Sequence, residues 1–150
     1  MADDQRKRGT LRKLSLGIQR RMNARTVRRI ERKGGKYLGM DLLILHTVGR
    51  RTGQPRRSPL TWFADGENAW LLVASGGGHR DPDWYLNLTA HPDQVSIQFH
   101  GEEPIPVRPE RLAGDERAAA WTAIVADQPR YGKYQQKSDR EYPVVRLTRR

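Results

Sequence analysis

The sequence contains no cysteine, and its apolar residues never form a long uninterrupted run. Without cysteine the chain has no disulfides, no thiolate metal ligands and no thiol nucleophile, and it suits a reducing cytosol without requiring one. A membrane-spanning helix needs ~20 mostly apolar residues, and a signal peptide needs an apolar centre that the first residues, MADDQRKRGT, do not have. We therefore expect a cytoplasmic protein that is not integral to a membrane.

Several catalytic and binding motifs are also absent. The chain lacks the glycine pattern of dinucleotide-binding Rossmann units, the P-loop pattern and a nucleophile elbow. Its four histidines do not have the spacing of metal ligands: His46, His79, His91 and His100. We therefore expect no resident metal ion.

The positive charge is concentrated near the N-terminus. The net charge is +11, and residues 1–36 contribute 13 − 3 = +10 of it. The rest of the chain is therefore nearly neutral, and the overall basicity says little about the folded body.

A basic amphipathic helix is predicted from about Leu11 to Lys33. Apolar residues recur there every three or four positions, basic residues fill most of the other positions, and Gly34 and Gly35 end the pattern. The helix can lie on an anionic membrane surface through residues 11–33, or it can pack its apolar stripe on the rest of the protein. We divide the chain into this helix and its tail, residues 1–36, and a second, ligand-binding domain, residues 37–150.

Beyond residue 36 the pattern indicates mainly strands. The run MDLLILHTV predicts a buried strand, and Asp65-Gly66 predicts a hairpin turn within RSPLTWFADGENAWLLVAS. A short helix capped by Asp81, a second hairpin, a helix from about Asp115 and a closing strand PVVRLT follow. The order predicts an α+β fold, mainly β, in which an antiparallel sheet or small barrel carries helices on its outside.

The turn after the first strand, VGRRTGQPRRSP, carries four arginines: Arg50, Arg51, Arg56 and Arg57. Guanidinium groups suit phosphate and carboxylate oxygens, although a solvated loop is an equally good interpretation of the charge alone. The next strand begins directly after the arginines, so a bound anion would lie at the mouth of the sheet. Ser75 and the glycines up to Gly78 end a neighbouring strand, where a flat ligand can approach the backbone closely.

Three segments together resemble the deazaflavin-dependent nitroreductase family, the oxidoreductases of mycobacteria and other actinobacteria that use coenzyme F420. They are LLILHTVGRRTGQPRRSPLTWFADGENAWLLVASGGG, DPDWYLNLTAHP and YGKYQQKSDREYPVVRL, and the resemblance covers roughly Asp41 to Leu147. It implies a split β-barrel of the FMN-binding type. It also implies a hydride transfer from reduced F420 to an electron-poor acceptor, such as a quinone or a nitro compound.

The resemblance also implies roles for individual residues. The arginines would hold the coenzyme's phosphate and oligoglutamate tail, and residues 74–77 would lie along the deazaflavin ring. The full coenzyme set is Arg50, Arg51, Thr52, Gln54, Pro55, Arg56, Arg57, Ser58, Pro59, Ala74, Ser75, Gly76 and Gly77. Tyr131 and Tyr134 would close over the substrate pocket, and one of their hydroxyls, or that of Ser75, would hydrogen-bond the acceptor and help to protonate it.

The chain departs from the nitroreductase pattern at Thr61, Gly76 and Gln128, which weakens the expectation that it accepts nitroimidazoles. Two alternatives remain. A nucleic-acid binder would use the basic helix and the arginine turn, but the sequence has no standard recognition motif, so we do not expect a nucleic-acid partner. A split barrel that binds FMN or haem instead of F420 is the other alternative.

Overall fold

The computed structural model describes residues 2–76 and 79–150, with side chains from residue 17 onward. Its helices and strands in chain order are α1 (Ala2–Lys33), β1 (Lys36–Tyr37), β2 (Met40–Val48), β3 (Pro55–Thr61), β4 (Phe63–Ala64), β5 (Ala69–Val73), α2 (Asp83–Ala90), β6 (Ser96–Gln98), β7 (Ile105–Arg111), α3 (Gly114–Asp127), α4 (Arg130–Gln136) and β8 (Val144–Arg149).

The eight strands of the described residues form one antiparallel sheet. Its order is β1-β2-β6-β7-β8-β5-β4, and β3 pairs with β2. The sheet curls into a split β-barrel with helices outside, as predicted. The closing strand β8 lies in the interior of the sheet, between β7 and β5.

Alternate residues of β2 supply two different cores. Leu43 and Leu45 point into the barrel, where they join the main cluster around the aromatic residues of α2. Leu42 and Ile44 point outward and pack against the last turns of α1. The continuous apolar run of this strand is therefore explained by burial on both faces. A third cluster lies beneath α3 and α4.

Helix α1 ends at Lys33, where the sequence predicts its end, and Gly34 follows with a positive φ of 98°. Its last turns pack on the sheet, because Val27 and Ile30 are almost fully buried. Ile18 and Met22, by contrast, are 59% and 61% exposed. The division of the chain at residue 36 stays a prediction.

No helix in the described part of the chain combines the length and apolarity needed to cross a membrane.

Three local features differ from the sequence prediction. The Asp65-Gly66 turn joins two paired strands, β4 and β5, as predicted, but the strand before the turn is interrupted between β3 and β4, and β3 pairs with β2. Asp81 does not cap α2, because its carboxylate pairs with Arg140. The seven-residue helix α4 was not predicted, because a short polar segment shows little apolar periodicity.

Candidate active site

The arginine turn is a closed hairpin loop between β2 and β3. The Gly49 amide donates to the Gln54 carbonyl at 2.8 Å, and the Gly53 amide donates to the Gly49 carbonyl at 2.8 Å. Gly53 adopts a φ of 69°, which favours glycine. The Thr52 hydroxyl accepts from the Gln54 amide at 3.2 Å. The loop geometry thus presents the arginines on a fixed backbone at one end of the sheet.

Two of the four arginines are paired within the protein. The Arg50 amide donates to Asn87 Oδ1 at 3.0 Å, and its guanidinium pairs with Asp83 at 3.3 Å, so Arg50 fastens the turn to α2. Arg57 pairs with Glu31 of α1 at 2.7 Å. Both arginines therefore already have a carboxylate beside them.

Arg51 and Arg56 have no carboxylate partner among the described residues. Arg51 is exposed, and Arg56 donates only to the adjacent Pro55 carbonyl, at 3.2 Å. Their charges are therefore the ones that remain available for an external anion.

Strand β3 divides the candidate coenzyme residues between two faces. Ser58 pairs with Leu45 and shares the barrel-facing side, whereas Pro59 pairs with Ile44 and shares the outer side. Arg56 lies on the face of Ser58, and Arg57 lies on the face of Pro59. The side chains of Ser58 and Pro59 therefore cannot line the same face of a groove.

The segment after β5 lies at the arginine end of the sheet. Strand β4 continues the direction of β3 and runs antiparallel to β5, and β3 and β5 pack against each other. The chain therefore leaves β5 at the end where it enters β3. Ala74 is buried and Gly76 is exposed, with the partly exposed Ser75 between them. Gly77 lies outside the described residues.

Arg140 holds this segment, although the sequence prediction gave it no role. Its guanidinium donates to the Ala74 carbonyl at 2.9 Å and to the Gly76 carbonyl at 2.6 Å, and it pairs with Asp81 at 3.2 Å. The sequence places Arg140 in the segment KSDREY, which does not reveal that its partner Ala74 lies 66 residues away.

The two candidate tyrosines lie side by side, and Tyr131 belongs to the apolar cluster beneath α3 and α4. The Tyr131 ring lies edge-on to Phe63 at 5.6 Å between centroids and to Tyr134 at 5.7 Å. Tyr131 is buried and Tyr134 is 46% exposed. Thr61, a position where the chain departs from the nitroreductase pattern, lies beside Tyr131 and hydrogen-bonds to it.

The surroundings of Tyr131 change its acidity. Burial raises the pKa of Tyr131 above its ordinary value, while the hydrogen bond with Thr61 acts in the opposite direction and is the smaller effect. The Thr61 hydroxyl also lies 3.3 Å from the Met40 sulfur. Thr61 and Tyr134 both contact Tyr131, whereas within the described residues no hydrogen bond joins Ser75 to either tyrosine.

A cleft of about 380 Å³ lies beside Arg140. Arg80, Asp81, Arg111 and Arg140 are among its lining residues, and none of the arginine-turn residues is. It therefore adjoins the segment after β5 without being the groove that the sequence predicts. In the described part of the chain no cluster of three metal-ligating side chains occurs.

Comparison with known proteins identifies similar oxidoreductases. Residues 18–149 match the family described as F420H(2)-dependent quinone reductase. An F420H(2)-dependent quinone reductase of Mycobacterium tuberculosis strain H37Rv is 42% identical over 113 residues, which are 72% of this chain and 73% of that protein. The solved structure of an F420-H2 dependent reductase is 34% identical with a TM-score of 0.61, over 71% of this chain and 92% of the other.

A haem-binding protein from Mycobacterium smegmatis has a similar structure at lower identity. It is 23% identical with a TM-score of 0.54, over 73% of this chain and 46% of the other. This likeness concerns the fold alone, and it carries no argument about the ligand.

Proposed function

The chain belongs to the F420H(2)-dependent quinone reductase family, and from this premise we propose which of its residues hold the coenzyme and the quinone. The protein is an oxidoreductase, and bound reduced coenzyme F420 supplies the hydride that reduces the quinone. The residues of the chain bind the coenzyme and the quinone, orient them for that transfer and exclude water from it.

Arg51 and Arg56 bind the anionic part of the coenzyme. The chemistry of these donors fits, because two guanidinium groups without a carboxylate partner in the described structure can both form charge-assisted hydrogen bonds to phosphate or glutamate oxygens. Arg50 supports them indirectly by fastening the turn to α2. Arg57 contributes only when its contact with Glu31 opens.

The backbone of residues 74–76 lies along the coenzyme ring. Ala74 and Gly76 offer small side chains or none, and the segment reaches the arginine end of the sheet. Pro59, on the outer face of β3, and Thr61 then lie between this segment and the tyrosines. In this arrangement the side chain of Ser58 faces the barrel, and Ser58 contributes to coenzyme binding through its backbone.

Tyr131 and Tyr134 form the quinone side of the pocket. The Tyr131 hydroxyl is protonated at physiological pH, as any tyrosine with a pKa near or above 10 is, and burial raises its pKa further. It can therefore donate a hydrogen bond to a quinone oxygen. Tyr134 exposes its ring at the surface, where it can cover a flat acceptor. Ser75 is a further donor to the acceptor.

Helix α1 brings the enzyme to anionic membranes, where apolar quinones dissolve. Ile18 and Met22 are one turn apart and exposed, so they share a face of the helix. Arg20, Arg21 and Arg25 surround them. Exposed apolar side chains beside several arginines are typical of helices that lie in the membrane interface.

The observation that carries the coenzyme proposal is the absence of a carboxylate partner for Arg51 and Arg56 in the described structure. We expect Arg56→Ala to weaken coenzyme binding about tenfold or more, because a charge-assisted hydrogen bond is lost. The measurement is titration of reduced and oxidised F420, followed by tryptophan fluorescence.

Arg108→Ala is the matched control, because it removes one positive charge from an exposed position on β7. It should change the Kd less than twofold. Equal losses in both variants would show that only overall charge matters, and a wild-type protein that does not bind the coenzyme at micromolar concentration would refute the proposed site.

A further inference from the structure

Arg140 bridges the two ends of the segment that the proposed function places along the coenzyme ring. Its side chain is only 16% exposed, and one guanidinium reaches the Ala74 and Gly76 carbonyls and the Asp81 carboxylate. Three acceptors from residues 74–81 therefore converge on one planar group whose donor directions are fixed.

Arg140 is itself held in place by its own segment. The side-chain amide nitrogen of Gln135 donates to the Arg140 carbonyl at 2.8 Å, and its side-chain oxygen accepts from the Tyr142 backbone amide at 2.9 Å. The Ser138 hydroxyl accepts from the Arg140 amide at 3.3 Å, and the Arg140 guanidinium lies 4.9 Å from the centre of the Tyr142 ring. These contacts hold the backbone on either side of residue 140, and the Tyr142 ring orients the guanidinium before any ligand arrives.

The contacts orient the backbone around Ser75. The Ala74 and Gly76 carbonyls, two residues apart, point toward the same guanidinium. In an extended chain the intervening residue directs its own amide and carbonyl to the opposite side. Two carbonyls that reach one guanidinium in this way are consistent with an extended segment, in which the amide and carbonyl of Ser75 face away from Arg140.

We propose that Arg140 is a positioning residue that fixes the backbone of residues 74–76 for the coenzyme ring. The proposal rests on the proposed placement of the ring. A segment that contains glycine has many accessible backbone conformations, and a ligand that must order it loses affinity. Arg140 removes this cost by ordering the segment in advance.

Arg117 offers a closely matched control. Its side chain is 17% exposed, pairs with Glu141 at 3.1 Å, donates to the Tyr142 carbonyl at 2.8 Å and lies 5.3 Å from the Trp121 ring. It thus has the same kinds of contact as Arg140, but none of these contacts reaches residues 74–76. Arg117→Lys therefore measures the structural cost of losing a buried guanidinium.

The test compares Arg140→Lys with Arg117→Lys in the full chain. Lysine keeps the charge of Arg140 but cannot donate in three fixed directions. We expect Arg140→Lys to raise the Kd for reduced F420 about tenfold, while the KM for a soluble naphthoquinone stays within twofold. Amide hydrogen exchange of residues 73–82, measured without coenzyme, should also become faster in Arg140→Lys and stay unchanged in Arg117→Lys.

The outcomes separate the two proposals. Unchanged exchange and unchanged Kd in Arg140→Lys, or equal changes in both variants, would overturn the positioning role. Faster exchange in Arg140→Lys with no change in its Kd would also overturn it, because the segment would then not matter to the ring. Failure of the wild-type protein to bind F420 would refute the proposed site and with it the coenzyme role of Arg140, even where the exchange data show that Arg140 orders the segment.

Discussion

Tyr131 is the residue whose environment makes the clearest prediction about pH. Burial raises its pKa in the folded protein above the unfolded value of about 10. The stability that this group contributes is complete below pH ~10 and is lost as the pH rises through the higher folded value, because only the unfolded chain then ionises freely. Tyr131→Phe should therefore reduce the fall in Tm between pH 9 and pH 11. If the variant loses stability as steeply as the wild-type protein, the buried hydroxyl is not the group responsible.

At the same scale, the sequence identified the arginine turn but not the difference among its arginines. Arg50 and Arg57 have carboxylate partners in α2 and α1, 33 and 26 residues away. Arg51 and Arg56 stand next to them in the sequence and have no such partner in the described structure. Composition and spacing cannot distinguish them, because the distinction depends on which helix packs beside the turn.

The contact between the arginine turn and α2 leads to a prediction about how these two elements stabilise the fold. Asn87 is 6% exposed, and its side-chain oxygen accepts from the Arg50 amide. Asn87→Ala should lower the free energy of unfolding by about 1–3 kcal/mol, because it leaves a partly buried backbone donor without its partner. Asp83→Asn weakens the ion pair with Arg50. Because the Asp83 side chain is 43% exposed, this change should lower the free energy of unfolding by only about 0–1 kcal/mol. Chemical denaturation measures both values, and equal losses would contradict the anchoring role of Asn87.

Elements with a strong local signal were predicted well, and weak ones were not. Strand β2 and helix α3 follow continuous or periodic apolar patterns, and the structure confirms both. Helix α4 is short and polar, and it is held by Tyr131, which packs on Phe63. Strand β1 has two residues and depends on its pairing with β2. Such elements form because tertiary contacts stabilise them, so local patterns do not reveal them.

At the scale of the whole molecule, the sequence predicted the split barrel through family resemblance rather than through strand order. The place of β8 in the interior of the sheet follows from its pairing with β5 and β7, which lie far from it along the chain. The same long-range packing brings Arg140 to Ala74 and Thr61 to Tyr131. The site is therefore a product of the closed sheet, and its positioning residues were not evident in any single segment.

The exposed part of α1 makes a prediction about where the whole molecule resides. We expect the protein to float with vesicles that contain phosphatidylglycerol and not with pure phosphatidylcholine vesicles, because its arginines attract anionic headgroups. Replacing both Ile18 and Met22 by serine should lower the vesicle-bound fraction about tenfold, because two apolar side chains no longer enter the interface. Leu38→Ser removes a side chain that is 70% exposed outside α1 and serves as the matched control. Equal binding by the double variant and the control would show that α1 does not use this apolar face, and equal binding to both lipids would exclude the electrostatic contribution.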